Sequence, residues 1–179
     1  AVFSKYPAFV RNHHAMSFLT GALMPIVDGT VKPSDLPGLL EADIQLVTKE
    51  HHATTDVLTK TADALPGFGI VAAVMGIVVT MSAIDGPVEE IGEKVGAALV
   101  GTFLGILLSY GFVSPLAVRL EFIGAAETSF LQIIAAVMPG FVGELAPKVA
   151  LERARRSVAV EHRPSLDELD EWLKQIDAA

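Results

Sequence analysis

Cysteine is absent from the 179 residues. That excludes a disulfide framework and any cysteine-based zinc centre. Aromatic residues make up only 7%, tryptophan occurs once, and the basic residues form no stripe. With a net charge of −8, this excludes a general nucleic-acid-binding surface. There is no phosphate-cradling glycine loop, no HExxH pattern and no nucleophile with a base at recognisable spacing. Nothing points to an enzyme, and no cofactor is implied. No basic stretch followed by an apolar core opens the chain, so no signal peptide is expected. The first residue is Ala rather than Met, and the chain reads as the later part of a longer one. The most informative absence is local. Neither 65–84 nor 95–118 contains Asp, Glu, Lys, Arg or His.

What fills those two stretches is apolar. The first reads LPGFGIVAAVMGIVVTMSAI and the second VGAALVGTFLGILLSYGFVSPLAV, with the acidic turn DGPVEEIGEK between them. Each approaches or exceeds the roughly 20 residues a helix needs to cross about 30 Å of hydrocarbon. The alternative is a buried helical hairpin in a soluble protein. Two uncharged stretches in series favour the membrane. The sequence thus predicts an all-α membrane protein built on a two-helix transmembrane hairpin. Cytoplasmic helices should precede and follow it. The expected plan is a cytoplasmic segment and stalk over 1–64, a span over 65–84, a periplasmic loop over 85–94, a second span over 95–118 and a cytoplasmic tail over 119–179. Orientation follows from the cations. Lys49 and Lys60 precede the first span, and Arg119, Lys148, Arg153, Arg155 and Arg156 follow the second. The loop has Lys94 against Asp85, Glu89, Glu90 and Glu93. The positive-inside rule then places both ends in the cytoplasm.

Each span carries a face of small residues. Gly69, Ala73, Gly76 and Thr80 follow the spacing i, i+4, i+7, i+11, and Ala98, Thr102, Gly105 and Ser109 repeat it. Gly101 and Gly105 form a further small-xxx-small pair. Such faces let helix backbones approach closely in lipid. The hydroxyls allow a second reading, in which Thr80, Thr102, Ser109 and Tyr110 line a polar path. Apart from the Tyr110 phenol, whose reference pKa near 10 suits proton relay poorly, neither span holds an ionisable group. A proton carrier within a membrane normally needs Asp, Glu or His. In a channel, the titrating acid would come from elsewhere. Pro66 and Pro115 lie near the cytoplasmic ends of the two spans. They are either ordinary helix-end prolines or hinges.

Around the hairpin the signals are weaker. Phe9, Val10, Ala15, Met16, Phe18, Leu19, Leu23 and Met24 can line one helix face, bounded by Pro7, Pro25 and Asp28-Gly29. His13-His14 and His51-His52 invite a metal reading, but adjacent residues point about 100° apart on a helix and make no chelating face. A long helix is expected over 34–64, capped at Ser34 or Asp35, with Leu39, Leu40, Ile44, Val47, His51, Leu58, Ala62 and Leu65 as its stripe. TSFLQIIAAVMPGFVG (128–143) reads as an amphipathic helix packed on its neighbours, with a third span as the alternative. Ser165 and Glu168 form a capping box for a last helix whose stripe is Leu166, Leu169, Leu173 and Ile176.

ADALPGFGIVAAVMGIVV (62–79) and KVGAALVGTFLGILLSYGFVSPLA (94–117) resemble the third and fourth spans of the MotA family, membrane subunits of the bacterial flagellar stator. The likeness continues through KYPAF near the start and HRPSLDELDEWL near the end. It implies a stator subunit coupling proton flow to flagellar rotation in the inner membrane. It further implies a pentameric ring of such subunits around a MotB-like dimer, whose Asp carries the ion. Pro66 and Pro115 match the family's paired prolines, thought to relay protonation to the cytoplasmic domain. Thr102 matches a hydroxyl near the ion path, and Tyr110 an aromatic farther along that helix. Ala73 stands where sodium-driven relatives tend to have a hydroxyl, which favours protons. The first two spans are not in this sequence, nor is the segment through which the family makes its main charged contacts with the rotor protein FliG. The rival readings are an ExbB- or TolQ-like energiser of an envelope machine and a non-conducting membrane anchor.

Overall fold

Helices form every regular element among the residues the structure describes, 6–82, 84–143 and 145–177 of a computed structural model. Lys5 of the KYPAF motif lies outside them. The order is α1 (Pro7–Arg11), α2 (His13–Val27), α3 (Leu36–Met81), α4 (Val88–Leu108), a widened π turn (Ser109–Val113), α5 (Ser114–Val142), α6 (Pro147–Ser157), a 3₁₀ turn (Val160–His162) and α7 (Leu166–Asp177). The chain divides into two compact units. One is Lys49–Gly124, and the other combines the chain up to Thr48 with the chain from Ala125 onward.

The unit 49–124 is the apolar hairpin. Its connection is shorter than the sequence predicts. The loop expected over 85–94 gives way to helix at Val88, because Pro87 sets an extended entry and its carbonyl accepts from the Glu90 and Ile91 amides. Glu89 and Glu90 lie in the first turn, where the positive end of the helix dipole favours them. Lys94 pairs with Glu90 one turn back at 2.8 Å. These charges mark a helix start rather than a loop. Composition turns polar at Arg119, but helix continues from Val88 through Val142 with no loop at 118. Residues 119–137 contain no proline, and the one glycine there, Gly124, is accommodated. A Cβ at 124 would lie 2.9 Å from His51 Cγ, so glycine lets the side chain of His51 cross that level.

The outer faces of this unit are apolar and exposed, among them Phe68, Val71, Met75, Val78, Leu99, Phe103, Ile106 and Phe112. Only 11% of the most apolar stretch of α3 is buried, and 17% of that in 88–142. A soluble core hairpin would bury these side chains. Exposure of this kind fits insertion into hydrocarbon, where the backbone bonds of a helix are satisfied internally.

In the other unit, Phe18, Leu19 and Ala22 of α2 pack with Leu36 and Leu40 of α3 and with Leu131 and Met138 of α5. Each fully buried Leu here contributes about 1.5–3 kcal/mol relative to exposure. The stretch 128–143 is therefore packed as the end of α5. In α3 the buried stripe begins at Leu36, while Leu39 is exposed. The first segment is two helices, because Asn12 breaks it and caps α2 by accepting from the Ala15 amide at 3.0 Å. Gly29 closes α2 at φ 70°, a left-handed position where glycine avoids the Cβ penalty. His14 pairs with Glu127, and the Thr48 and Thr128 hydroxyls lie 3.4 Å apart.

α6 and α7 follow. Ala150 of α6 packs against Gly140, where a Cβ would come 2.9 Å from the Ala150 methyl. Glu152 accepts from Arg155 Nε at 2.6 Å and Arg156 Nε at 2.8 Å. These two hydrogen bonds hold its carboxyl down to about 2. Arg155 also donates to the Pro164 carbonyl at 3.1 Å, fixing the approach to α7. The capping box forms as predicted. The Ser165 amide donates to Glu168 Oε2 at 2.7 Å, and the Glu168 amide to Ser165 Oγ at 3.2 Å.

Candidate functional site

The site lies on the facing sides of α3 and the 88–124 helix, all within the unit 49–124. Four glycines set how closely those sides approach. A Cβ at Gly105 would come 2.6 Å from the Leu65 carbonyl oxygen, and one at Gly69 would come 3.0 Å from the Gly101 oxygen. One at Gly101 would meet the Ala72 methyl at 2.8 Å, and one at Gly76 the Ala98 Cα at 2.8 Å. Real Cβ atoms do not come within 3 Å of such neighbours. The pairs run antiparallel, with residue 65 opposite 105, 72 opposite 101 and 76 opposite 98. Without side chains at these points the backbones come close enough for cross-helix hydroxyl bonds.

Two such bonds cross the interface. Thr102 Oγ1 donates to the Gly69 carbonyl at 3.2 Å. Ser109 Oγ, 1% exposed, donates to the Ala62 carbonyl at 2.7 Å. Thr80 is buried as well, but its hydroxyl turns back on its own helix, to the Gly76 carbonyl at 2.8 Å. An oxygen that has given its proton away retains lone pairs with which to accept. Thr102, in the middle of α4, is half-buried. Ala73 is half-buried on α3, while Tyr110 is 67% exposed on the outer side. The structure thus brings Thr102 and Ser109 together with α3 main chain, and it does not bring Tyr110 into that seam.

The prolines sit in different surroundings. Pro66 is half-buried inside α3, and Pro115 is exposed one residue into α5. Immediately before Pro115 the helix widens. The Ser114 amide reaches back five residues to the Ser109 carbonyl. Pro115 has no amide hydrogen for Gly111, and π turns of this kind absorb such a defect. The cross-helix bond from Ser109 was not singled out from the sequence. Its signal is an accounting one, since any helical proline orphans the carbonyl four residues before it.

No group of three or more His, Asp or Glu side chains able to hold a metal converges among the described residues. Chemically the seam offers hydroxyl and carbonyl oxygens, close backbones and no carboxylate. It can donate and accept hydrogen bonds, and it has no side chain that would carry a proton.

The profile of the MotA/TolQ/ExbB proton channel family matches residues 10–139, which include both apolar helices and the seam. The chain belongs to this family. It is 34% identical over 175 residues to Motility protein A of Salmonella typhimurium, covering 98% of this chain and 59% of that one. Chemotaxis protein LafT of Vibrio parahaemolyticus is likewise 34% identical over 175 residues, with 98% and 61% covered. The chain therefore spans about three-fifths of the length of these relatives. The flagellar MotAB stator complex from Bacillus subtilis contains a chain of the same fold, at TM-score 0.72 and 23% identity, covering 81% of this chain and 56% of that one.

Proposed function

We propose that this chain serves as a MotA-type subunit of a flagellar stator, coupling proton flow across the bacterial inner membrane to rotation. The observation that carries the reading is the likeness to Motility protein A along 98% of the chain. The seam is consistent with it in chemical detail. A MotB-like partner would bring the carboxylate that neither span contains. Its neutralisation removes a charge from a low-dielectric site and changes where that helix rests against the Thr102 face. Pro66 and Pro115 would pass the shift to the helices below. On this reading both ends of the chain are cytoplasmic, the acidic segment 85–94 is periplasmic, further copies complete a pentameric ring, and the rotor protein FliG is the target. Ala73, with no hydroxyl, fits protons rather than sodium.

The test is complementation. The natural full-length protein, produced with its MotB-like partner in a motile host stripped of stators, should restore swimming that stops when the proton gradient is collapsed. Thr102→Val should reduce proton flux through the assembled complex. Unaltered flux would remove Thr102 from the path. Rescue of an ExbB- or TolQ-deficient strain instead would redirect the reading to an envelope energiser.

A further inference from the structure

We propose that Ser109 is the latch of the hairpin: its hydroxyl replaces the main-chain donor that Pro66 removes. In a regular helix the amide of residue 66 would donate to the Ala62 carbonyl. Proline has no such hydrogen, so that carbonyl is orphaned. Ala62 is itself 1% exposed, so no open solvent takes the place of the missing donor. Ser109 Oγ reaches the Ala62 oxygen across the seam at 2.7 Å, and Ser109 is 1% exposed.

The same residue serves the second proline from its main chain. Its carbonyl accepts the long bond from the Ser114 amide that widens the helix just before Pro115. One side of Ser109 thus satisfies the defect made by Pro66, and the other belongs to the defect made by Pro115. The two prolines are tied through one residue. With the residue-66 amide hydrogen gone, opening the seam at this level takes from the Ala62 carbonyl the donor that replaces it. Closing the seam requires the Ser109 hydroxyl to find it again. Ser109 is then a positioning residue, one that sets the closed arrangement of both proline-bearing helices. Its effect on torque rests on the stator reading above. The bond itself does not.

A double-substitution cycle on the full-length protein, purified with its partner in detergent, tests the latch. Ser109→Ala should lower Tm by about 5 °C. In a Pro66→Ala background an amide at position 66 supplies the missing donor, and the same change should then be nearly silent. An equal loss in both backgrounds, or no loss in either, overturns the latch. Ser109→Cys, close in volume and a weak donor, should fall between serine and alanine. The positioning role is read from torque against external pH in cells. Ser109→Ala should displace that profile and Ser109→Cys displace it less, while coincidence with the unsubstituted protein would overturn the role. If the unsubstituted protein gives no torque, the stator reading fails, and the Tm cycle still reports on the latch.

Discussion

Gly105 lies so close to Leu65 that a Cβ on it would stand 2.6 Å from the Leu65 carbonyl oxygen. Neither neighbour can yield, because the obstacle is main chain. Gly105→Ala should therefore push the helices apart at that level, at a cost of about 1–3 kcal/mol typical of overpacking. It should also stretch the Thr102 and Ser109 bonds. Gly92 and Gly96 on α4 have nothing within 4 Å of an added Cβ. Alanine there should be neutral or stabilise by up to about 1 kcal/mol through helix propensity. Thermal unfolding of the four proteins in detergent checks the contrast. A similar loss at 96 and 105 would mean that close approach is not what the glycines provide.

Leucine at 66 or 115 restores an amide hydrogen. The expected outcome of Pro66→Leu or Pro115→Leu in the full-length protein is a stator that assembles but produces no torque. Co-purification with the partner measures assembly, and tethered-cell rotation measures torque. Normal rotation would remove the prolines from the coupling. The two should also differ in hydrogen exchange. Pro66→Leu gives Ala62 a second donor and should slow exchange around 62–66, whereas Pro115→Leu should regularise the widened turn at 109–113.

The spans were legible because charge is the strongest signal a membrane sequence has, and neither stretch contains any. The small faces were legible from spacing alone. Helix ends were harder. The charges at 88–94 suggested water and hence loop, but Glu89, Glu90 and Lys94 stabilise a helix start as readily as they decorate a turn. Arg119 marked a change of solvent, yet a helix crosses such a change unless something breaks it. The apolar face expected over 9–24 is split, because Asn12 caps a second helix. The role of Ser109 was hidden for a different reason. Spacing placed it on the small face but could not distinguish a hydroxyl lining a path from one donating to Ala62. That distinction needed the register across the hairpin.

Acid should weaken α6 itself, whose Glu152 bonds run to Arg155 and Arg156 within the same helix. The Glu152 carboxyl sits at about 2, below the 4.5 of an unperturbed group, because Arg155 and Arg156 bond its ionised form. A depressed folded-state value contributes stability that is complete above 4.5 and disappears as pH falls toward 2. Exposure to solvent limits the effect. Amide exchange in 147–157 should accelerate across that window. Glu152→Gln should show faster exchange already at pH 7 and a flatter dependence below it. An unchanged pH dependence in the variant would assign the acid sensitivity to other carboxylates.

The last helix should depend on its cap more than on its packing. Leu166 and Ile176 are each 58% exposed, and Trp172 is 50% exposed, so little apolar burial holds α7. The reciprocal bonds between Ser165 and Glu168 satisfy two amides at its start. They also lower the pKa of the Glu168 carboxyl, chiefly through the bond from the Ser165 amide. Ser165→Ala removes one arm and should cost about 1 kcal/mol of local stability. Glu168→Gln keeps the shape of the box while losing the charge that favours a helix N-terminus, and should cost less. Both should appear as faster amide exchange confined to 166–177, with thermal unfolding of the hairpin unchanged. Exchange equal to that of the unsubstituted protein in Ser165→Ala would show that packing, rather than the cap, orders this helix.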